Sequence, residues 1–324
     1  MDDLGKRRAI LANFDCEDTW SKEGSCQNTT RSRHIKALMT ALAEHLSVFA
    51  NESTALLFPW SVPSANLYDN VLAWGQTKQV DGLRENDETK PEPSKWQEAL
   101  WHLSPSVEVA KTVNHKEFSF HLAQQNDWHH EGQRFVTSTE ELSNHLSDHK
   151  NLGPGRWLIK APYSAAGRHG VVSKTGTFSE EQWIHISRLL NRYSTVMIMP
   201  WLNRVFDFTV SGVIGRQQDW IFPPHFPLVD NQGVVRTIEI NDSKAKDVFS
   251  ASERTTLNQV TVRVVERLKE LNYLGPFSVD GFVYQQEGKR LMHSLSEING
   301  RLTFGLVARA HAERHNKSPY CLHL

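Results

Sequence analysis

The sequence predicts a protein of mixed α/β and α+β class, in which a small parallel α/β domain comes before two further lobes. The predicted boundaries are residues 1–113 for the first domain, 114–194 for the first lobe and 195–324 for the second lobe. Three observations lead to this prediction. Strand-like and helix-like segments alternate in the first domain, a strand–loop–strand pattern occupies the first lobe, and alternating antiparallel patterns fill the second.

The first domain is predicted to contain three strands and two helices. Residues 8–14, "RAILANF", indicate a buried strand, and residues 33–49 have apolar side chains three to four positions apart, which predicts an amphipathic helix. "TALLFPW" predicts a second strand, "SKWQEALWHL" at 94–103 a short helix, and "PSVEVAK" at 105–111 a third strand. No G-x-G-x-x-G motif follows the first strand, so a dinucleotide site is not expected.

The two lobes have clear local signals. A helix is predicted from Asn114, and two serines each stand three residues before a Glu or Gln at a predicted helix start, Ser138 and Ser179. Residues 156–174 predict a strand, a loop of small residues and a second strand. Antiparallel strands, a long amphipathic helix at 252–273, a hairpin and a closing helix at 303–316 are predicted after residue 195.

Composition restricts the classes of partner. The chain has 36 Lys and Arg against 37 Asp and Glu, for a net charge of −1, so neither nucleic acid nor an anionic membrane is an expected partner. No apolar stretch approaches the roughly 18 residues that span a membrane. The three cysteines, Cys16, Cys26 and Cys321, have no paired or metal-like spacing, which predicts a reduced, cytoplasmic protein. A homodimer is the expectation from base rates alone.

The stretch "LMHSLSEINGRLTFG", residues 291–305, carries three polar side chains at alternate positions, Glu297, Asn299 and Arg301. In an extended strand these side chains share one face. Asp280 stands in a similar apolar setting, "FSVDGFV", and two carboxylates that face each other across a hairpin repel unless a cation lies between them. Such oxygen ligands suit Mg²⁺, which also binds phosphate oxygens. The alternative interpretation is that Asp280 and Glu297 form structural ion pairs with nearby arginines.

Two further stretches carry weaker signals. In "LIKAPYSAAGRHGVV", Lys160 ends an apolar strand before a loop whose glycines allow backbone N–H groups to approach an anion. An ordinary hairpin with a solvated lysine is the alternative interpretation. In "IMPWLNRVFDFTV", apolar residues before Asp207 could line a purine slot, with the carboxylate reaching ribose hydroxyls. A buried hinge with a paired aspartate is the alternative there.

In their order along residues 114–305, these stretches together resemble the ATP-grasp superfamily, with "EIN" followed by Arg301 as the most specific motif. The resemblance implies a pre-ATP-grasp domain followed by a two-lobed ATP-grasp fold. It also implies a ligase that uses ATP to join a substrate carboxylate to an amine or thiol through an acylphosphate, releasing ADP and phosphate. The substrates would be small molecules, with amino acids or a peptide among the candidates. A kinase-like phosphotransferase of the same fold and a nucleotide-binding regulator without turnover are the alternatives.

The resemblance also implies a role for each matching residue. The ATP contacts would be Lys116 and Lys160 on the phosphates, the covering loop Ser164, Ala165, Ala166 and Gly167, the adenine hinge Met199, Trp201 and Leu202, and Asp207 on the ribose. The ligands of two Mg²⁺ ions, which Mn²⁺ could replace, would be Asp280, Glu297 and Asn299. Arg301 and Lys160 would be catalytic, with Arg301 facing the γ-phosphate or the acylphosphate. The chain departs from the family at Met199, where many members have an acidic residue.

The substrate site is predicted only in outline. Ligands of α/β domains bind at the carboxyl ends of strands, so the polar segment after the first strand, "NFDCEDTW", is a candidate wall of the acceptor site. Arg204 and His225 are further candidate contacts because they lie near the nucleotide elements in sequence.

Overall fold

The structure is a computed structural model. It describes residues 7–21, 31–62, 68–83, 92–149, 152, 155–164, 170–173, 176–230 and 234–324. Within these ranges, no helix has the length and apolar character that a membrane crossing requires.

The first part of the chain forms a three-stranded parallel sheet with short helices around it. Its elements are β1 (Arg8–Leu11), α1 (Cys16–Trp20), α2 (Arg33–Ala43), a 3₁₀ helix (Glu44–Phe49), β2 (Ala55–Leu57), β3 (Asn70–Ala73), α3 (Lys78–Asp81), α4 (Trp96–Ala99) and α5 (Val107–Asn114). The strand order is β2-β1-β3, and both pairs are parallel. The predicted parallel α/β domain is therefore confirmed in its sheet type, and α1 follows the carboxyl end of the central strand.

The prediction of a strand at residues 105–111 is wrong, because this segment begins α5 and the third strand of the sheet is β3. The side chain of Ser106 accepts a hydrogen bond from the backbone N–H of Val109 and so caps the helix. Val107, Ala110 and Val113 are buried at three-residue intervals, which places them on one helical face. Two valines separated by a glutamate fit both a strand and a helix, and the serine cap decides between them.

The middle of the chain forms a four-stranded antiparallel sheet with helices. Its elements are α6 (Lys116–Gln125), β4 (Arg134–Val136), α7 (Thr139–Asp148), β5 (Trp157–Lys160), β6 (Val171–Val172), α8 (Glu180–Tyr193) and β7 (Val196–Pro200). The strand order is β4-β7-β5-β6. Both predicted helix starts are confirmed, since Ser138 caps α7 and Ser179 forms a reciprocal capping box with Gln182 at α8.

The last part of the chain contains two more antiparallel sheets. Its elements are β8 (Asn203–Ile214), β9 (Asp219–Ile221), β10 (Phe226–Val229), β11 (Val235–Ile240), α9 (Asp242–Asp247), α10 (Ala251–Glu270), β12 (Gly275–Gln286), β13 (Lys289–Asn299), α11 (Phe304–His315) and β14 (Tyr320–His323). The strand orders are β13-β12-β8-β9 and β10-β11-β14. The predicted hairpin is β12–β13, and the two predicted helices are α10 and α11. The sequence did not indicate β10 or β14.

Three parts of the chain meet where β13 ends. Ser119 of α6 accepts a hydrogen bond from the backbone N–H of Ile298, at 2.9 Å. On the other side, the ring of Phe304 at the start of α11 lies 4.6 Å from that of Trp74, in the first domain. The backbone N–H of Leu302 donates to the carbonyl of Trp74, at 2.9 Å. The segment that follows β13 is therefore held between α6 and the first domain.

Candidate functional site

Paired strand positions bring the polar residues of the hairpin onto one face. Asp280 of β12 lies directly opposite Glu297 of β13, and Thr209 of β8 lies opposite Asp280 on the other side. Side chains at paired positions point to the same face of a sheet, and residues two apart along a strand share that face. Asn299 therefore lies beside Glu297, so the three predicted metal ligands are close together.

A chain of hydrogen bonds runs through this face, and we call it the Glu17–Thr209 network after its two ends. Thr209 Oγ1 donates to Asp280 Oδ1 at 2.8 Å, and Asn299 Nδ2 donates to Asp280 Oδ2 at 2.9 Å. Arg301 Nη2 donates to Asn299 Oδ1 at 3.0 Å, and Arg301 Nε donates to Glu17 Oε1 at 3.0 Å. Among the residues that the structure describes, the buried Glu17 Oε2 has no hydrogen-bond partner.

Lys116 connects Glu297 to the predicted phosphate loop. It is the first residue of α6 and is only 3% exposed. Its Nζ lies 2.9 Å from Glu297 Oε1 and donates to the carbonyl oxygen of Ser164 at 3.1 Å. Ser164 is the last described residue before position 170, and the other predicted loop residues, Ala165, Ala166 and Gly167, lie outside the described ranges.

The charges of the site perturb one another. Burial, together with the charge of Glu297, raises the pKa of Asp280 to about 6. Burial alone would raise the pKa of Glu297, but the ammonium groups of Lys116 and Lys160 hold it below its ordinary value. Burial lowers the pKa of Lys160 to about 8, against the opposing effect of Glu297. The Arg301 guanidinium and the hydrogen bonds from Thr209 and Asn299 therefore offset only part of the rise in the pKa of Asp280.

The donor set fits a hard divalent cation. Asp280, Glu297 and Asn299 offer carboxylate and amide oxygens on one face, and each Asp280 oxygen has a further lone pair beyond the hydrogen bond it accepts. Mg²⁺ commonly takes one or two carboxylates and completes its shell with water and phosphate oxygens. Within the described ranges, no group of three or more His, Cys, Asp and Glu side chains could hold a metal ion. The fit therefore depends on two carboxylates and one amide.

The predicted adenine hinge lies in an apolar cluster between two sheets. The buried members of the cluster are Leu158, Met197, Met199, Leu202, Phe282 and Tyr284, and Trp201 packs against them. The first three come from β5 and β7, whereas Phe282 and Tyr284 come from β12. The guanidinium of Arg156 lies 5.2 Å from the Trp201 ring. The structure thus brings Met199, Trp201 and Leu202 together at an apolar seam.

Asp207 lies on the same sheet face as Asp280, opposite Phe282. It is paired with Arg204, whose Nη1 lies 2.7 Å from Asp207 Oδ1. The guanidinium of Arg204 also lies 4.1 Å from the centre of the Phe282 ring. Arg204 therefore borders the apolar cluster. Asp207 is ion-paired in the free protein, as the alternative interpretation of this stretch predicted.

Sequence reasoning missed two residues on this face. Thr209 could have been found by counting two positions on from Asp207. His293 lies opposite Phe282 with its ring 5.0 Å away, and its Nε2 has no partner within the described part of the chain. Burial lowers the pKa of His293 to about 3, so its imidazole is neutral. Counting back four positions from Glu297 along the strand would have placed it on the site face.

Gly281, which follows Asp280 in "FSVDGFV", stands where a larger residue would clash with its neighbours. A Cβ on Gly281 would lie 2.5 Å from Phe208 Cζ and 2.8 Å from the carbonyl oxygen of His293. We expect Gly281→Ala to push β8 and β12 apart and to lower the free energy of unfolding by about 1–3 kcal/mol, as measured by urea denaturation. Gly82→Ala is the control, because its Cβ would meet nothing closer than 3.7 Å. Equal losses in the two variants would contradict the steric explanation.

Comparisons with known proteins identify the fold. No protein-family model and no curated protein matches the chain. Among solved structures, D-alanyl-alanine synthetase A from Vibrio cholerae is 11% identical with a TM-score of 0.57, covering 96% of this chain and 94% of that one. D-Alanine–D-alanine ligase from Bacillus anthracis is 12% identical with a TM-score of 0.52, covering 95% of this chain and 93% of that one.

A third similar structure is an ADP complex of N5-carboxyaminoimidazole ribonucleotide synthetase. It is 11% identical with a TM-score of 0.51, and the match covers 93% of this chain and 71% of that one. At such identities the likeness concerns the fold. The first two structures match nearly end to end, and their fold agrees with the family that the order of the motifs indicated. The chain therefore has the ATP-grasp fold.

Proposed function

We propose that this protein is an ATP-dependent ligase that joins a substrate carboxylate to an amine or a thiol. The substrate would be activated as an acylphosphate, with release of ADP and phosphate. The observation that carries the proposal is the pair of facing carboxylates, Asp280 and Glu297, with the ammonium group of Lys116 2.9 Å from Glu297. Oxygen ligands for a cation and ammonium groups for phosphate on one face are the parts that phosphoryl transfer uses. The names of the similar solved structures, a synthetase and a ligase among them, favour the same direction.

In this proposal, one set of side chains would bind the phosphates and another would bind the metal ions. Lys116 and Lys160 would bind phosphate oxygens, and Arg301 would face the γ-phosphate or the acylphosphate. Asp280, Glu297 and Asn299 would hold two Mg²⁺ ions, or Mn²⁺ in their place. When bound, these ions would neutralise negative charge on the phosphate oxygens. Lys160 and Arg301 are the proposed catalytic residues, because their charges would stabilise the transferring group.

The apolar seam between the sheets is the proposed site of the base. Met199, Trp201 and Leu202 would contact adenine, and Asp207 would exchange its bond with Arg204 for the ribose hydroxyls. Residues 164–167 would cover the phosphates and keep water from the acylphosphate, which hydrolysis would waste. The contact between Lys116 and the Ser164 carbonyl, at 3.1 Å, supports this role because it connects the loop to a proposed phosphate ligand.

The test is a screen for ADP release with Mg²⁺, ATP and pairs of small carboxylates and amines, starting with amino acids. A ligase should release ADP and phosphate only when both substrates are present. ADP release without an amine, with phosphate retained on the substrate, would replace the proposal with a kinase-like reaction. ATP binding with no ADP release across the panel would favour a regulator without turnover.

The lowered pKa of Lys160 predicts a pH dependence of ATP binding. With a pKa of about 8 in the free protein, Lys160 is protonated below that pH and loses its charge above it. The Kd for ATP should therefore increase above about pH 8, by at most about tenfold per pH unit. Calorimetric titration between pH 6.5 and 9.5 measures this. Lys160→Arg should remove the dependence because arginine stays protonated throughout. Identical profiles for the two proteins would contradict the assignment.

A further inference from the structure

We propose that Glu17 and Thr209 are positioning residues of the metal site. They stand at the two ends of the Glu17–Thr209 network, and they would act by fixing the orientation of the ligands between them. The inference rests on the proposed function, because the ligands concerned are those assigned to Mg²⁺ there. Neither residue is among the ligands or phosphate contacts of that assignment.

Thr209 fixes one end of the network. It is 7% exposed, and its backbone is held by two hydrogen bonds with His225, each 2.9 Å long. The backbone that carries the Thr209 side chain is therefore held in place, and Oγ1 donates to Asp280 Oδ1 at 2.8 Å. With Asn299 Nδ2 on the other oxygen, the carboxylate of Asp280 has a donor on each side and cannot rotate without losing both. Partners of this kind commonly change metal affinity by 10- to 100-fold when they are removed.

Arg301 fixes the amide of Asn299. The amide donates through Nδ2 to Asp280 and accepts through Oδ1 from Arg301 Nη2. A flipped amide would place its oxygen against the carboxylate and its NH₂ against the guanidinium, and both contacts would be repulsive. Only the oxygen of an amide binds a hard cation, and Asn299 Oδ1 keeps a second lone pair beside the hydrogen bond from Arg301. The guanidinium therefore holds the ligand atom in a defined place.

Glu17 in turn fixes Arg301. Glu17 is 7% exposed, and its Oε1 accepts a hydrogen bond from Arg301 Nε and lies 3.0 Å from Arg301 Nη2. The Arg301 guanidinium also interacts electrostatically with Glu297 and Asp280. Without Glu17, Arg301 would be attracted to these two carboxylates and would compete with a cation for them.

The network crosses between parts of the chain that are far apart in sequence. Glu17 belongs to α1, which follows β1 in the first domain, and Arg301 stands 284 positions later. The same segment is the expected wall of the acceptor site. Orientation of the metal ligands would therefore depend on the domain that is expected to contact the second substrate.

The experiment uses the full chain and ADP as the probe. The Kd for ADP is measured by calorimetry in EDTA and again in Mn²⁺. The Kd in EDTA divided by the Kd in Mn²⁺ reports how strongly metal supports nucleotide binding. Glu17→Gln and Thr209→Val should lower this ratio about tenfold or more, while the Kd in EDTA stays the same. Thr209→Ser, which keeps the hydroxyl, should restore it. Glu98→Gln is the matched control, because it makes the same chemical change in the first domain, at an exposed glutamate 3.2 Å from Arg8 and outside the proposed binding segments.

The outcomes separate this inference from the proposed function. A wild-type ratio of one would mean that metal does not support nucleotide binding, and would overturn both. A wild-type ratio well above one that Glu17→Gln and Thr209→Val leave unchanged would overturn the inference alone. Failure of Thr209→Ser to restore the ratio, or an equal loss in Glu98→Gln, would also overturn it. Thermal unfolding of each variant shows whether a lowered ratio comes from a misfolded protein, and such a result would count against the positioning role.

Discussion

Replacing Glu297 with glutamine should abolish ATP turnover in a chain that still folds. Glutamine keeps the size of the side chain and an oxygen that can accept from Lys116 Nζ, now 2.9 Å from Glu297 Oε1. It removes one of the two charges that face each other across β12–β13. Loss of a residue that only orients a metal ligand lowers metal affinity or activity by about 10- to 100-fold. Loss of a ligand itself should therefore lower the rate of ADP release by at least about 100-fold.

The control for this variant lies on the same hairpin. Glu287 is exposed in the turn between β12 and β13, so Glu287→Gln makes the same chemical change far from the site. We expect ADP release to stay at the wild-type rate in that variant. Circular dichroism of both proteins tests whether the fold is intact. Wild-type rates of ADP release from Glu297→Gln would overturn the assignment of Glu297 to the metal.

Predictions from sequence succeeded where the decisive contacts are local. The start of α8 was predictable because Ser179 and Gln182 stand three positions apart and satisfy each other's backbone groups. The facing of Asp280 and Glu297 was predictable because a single hairpin pairs their strands. The error at residues 105–111 arose because a short alternating segment fits two periods, and only the cap by Ser106 distinguishes them.

Contacts between distant segments could not be predicted in this way. Lys116 and Glu297 are 181 positions apart, and no periodicity connects α6 to β13. Arg301 was assigned to phosphate from the motif, but its ion pair with Glu17 depends on how the first domain packs against the end of β13. The apolar seam could not be predicted in full for the same reason. The resemblance to a family indicated Met199, but Phe282 belongs to a different sheet and was not associated with it.

Replacing Lys116 with methionine should have the largest effect on stability. The Lys116 side chain is almost fully buried and that of Glu297 is 16% exposed, so water screens their attraction poorly. Methionine fills similar volume but leaves the carboxylate without its closest cation. We expect the free energy of unfolding to fall by about 3–5 kcal/mol at neutral pH, measured from urea denaturation. The loss should shrink as the pH falls toward the ordinary pKa of glutamate, because a protonated Glu297 needs no cation.

Two further proteins test whether the ion pair is the cause. The double variant Lys116→Met with Glu297→Gln removes both charges, and it should regain most of the lost stability because no buried charge is left unpaired. Lys111→Met in α5 removes a lysine that lies 4.0 Å from the exposed Glu108, so it should cost less than about 1 kcal/mol. A double variant as unstable as Lys116→Met alone would show that packing around α6, rather than the charge on Glu297, sets the cost. Recovery in the double variant would mean that the free protein keeps Glu297 ionised through Lys116, which is the state that a metal ligand requires.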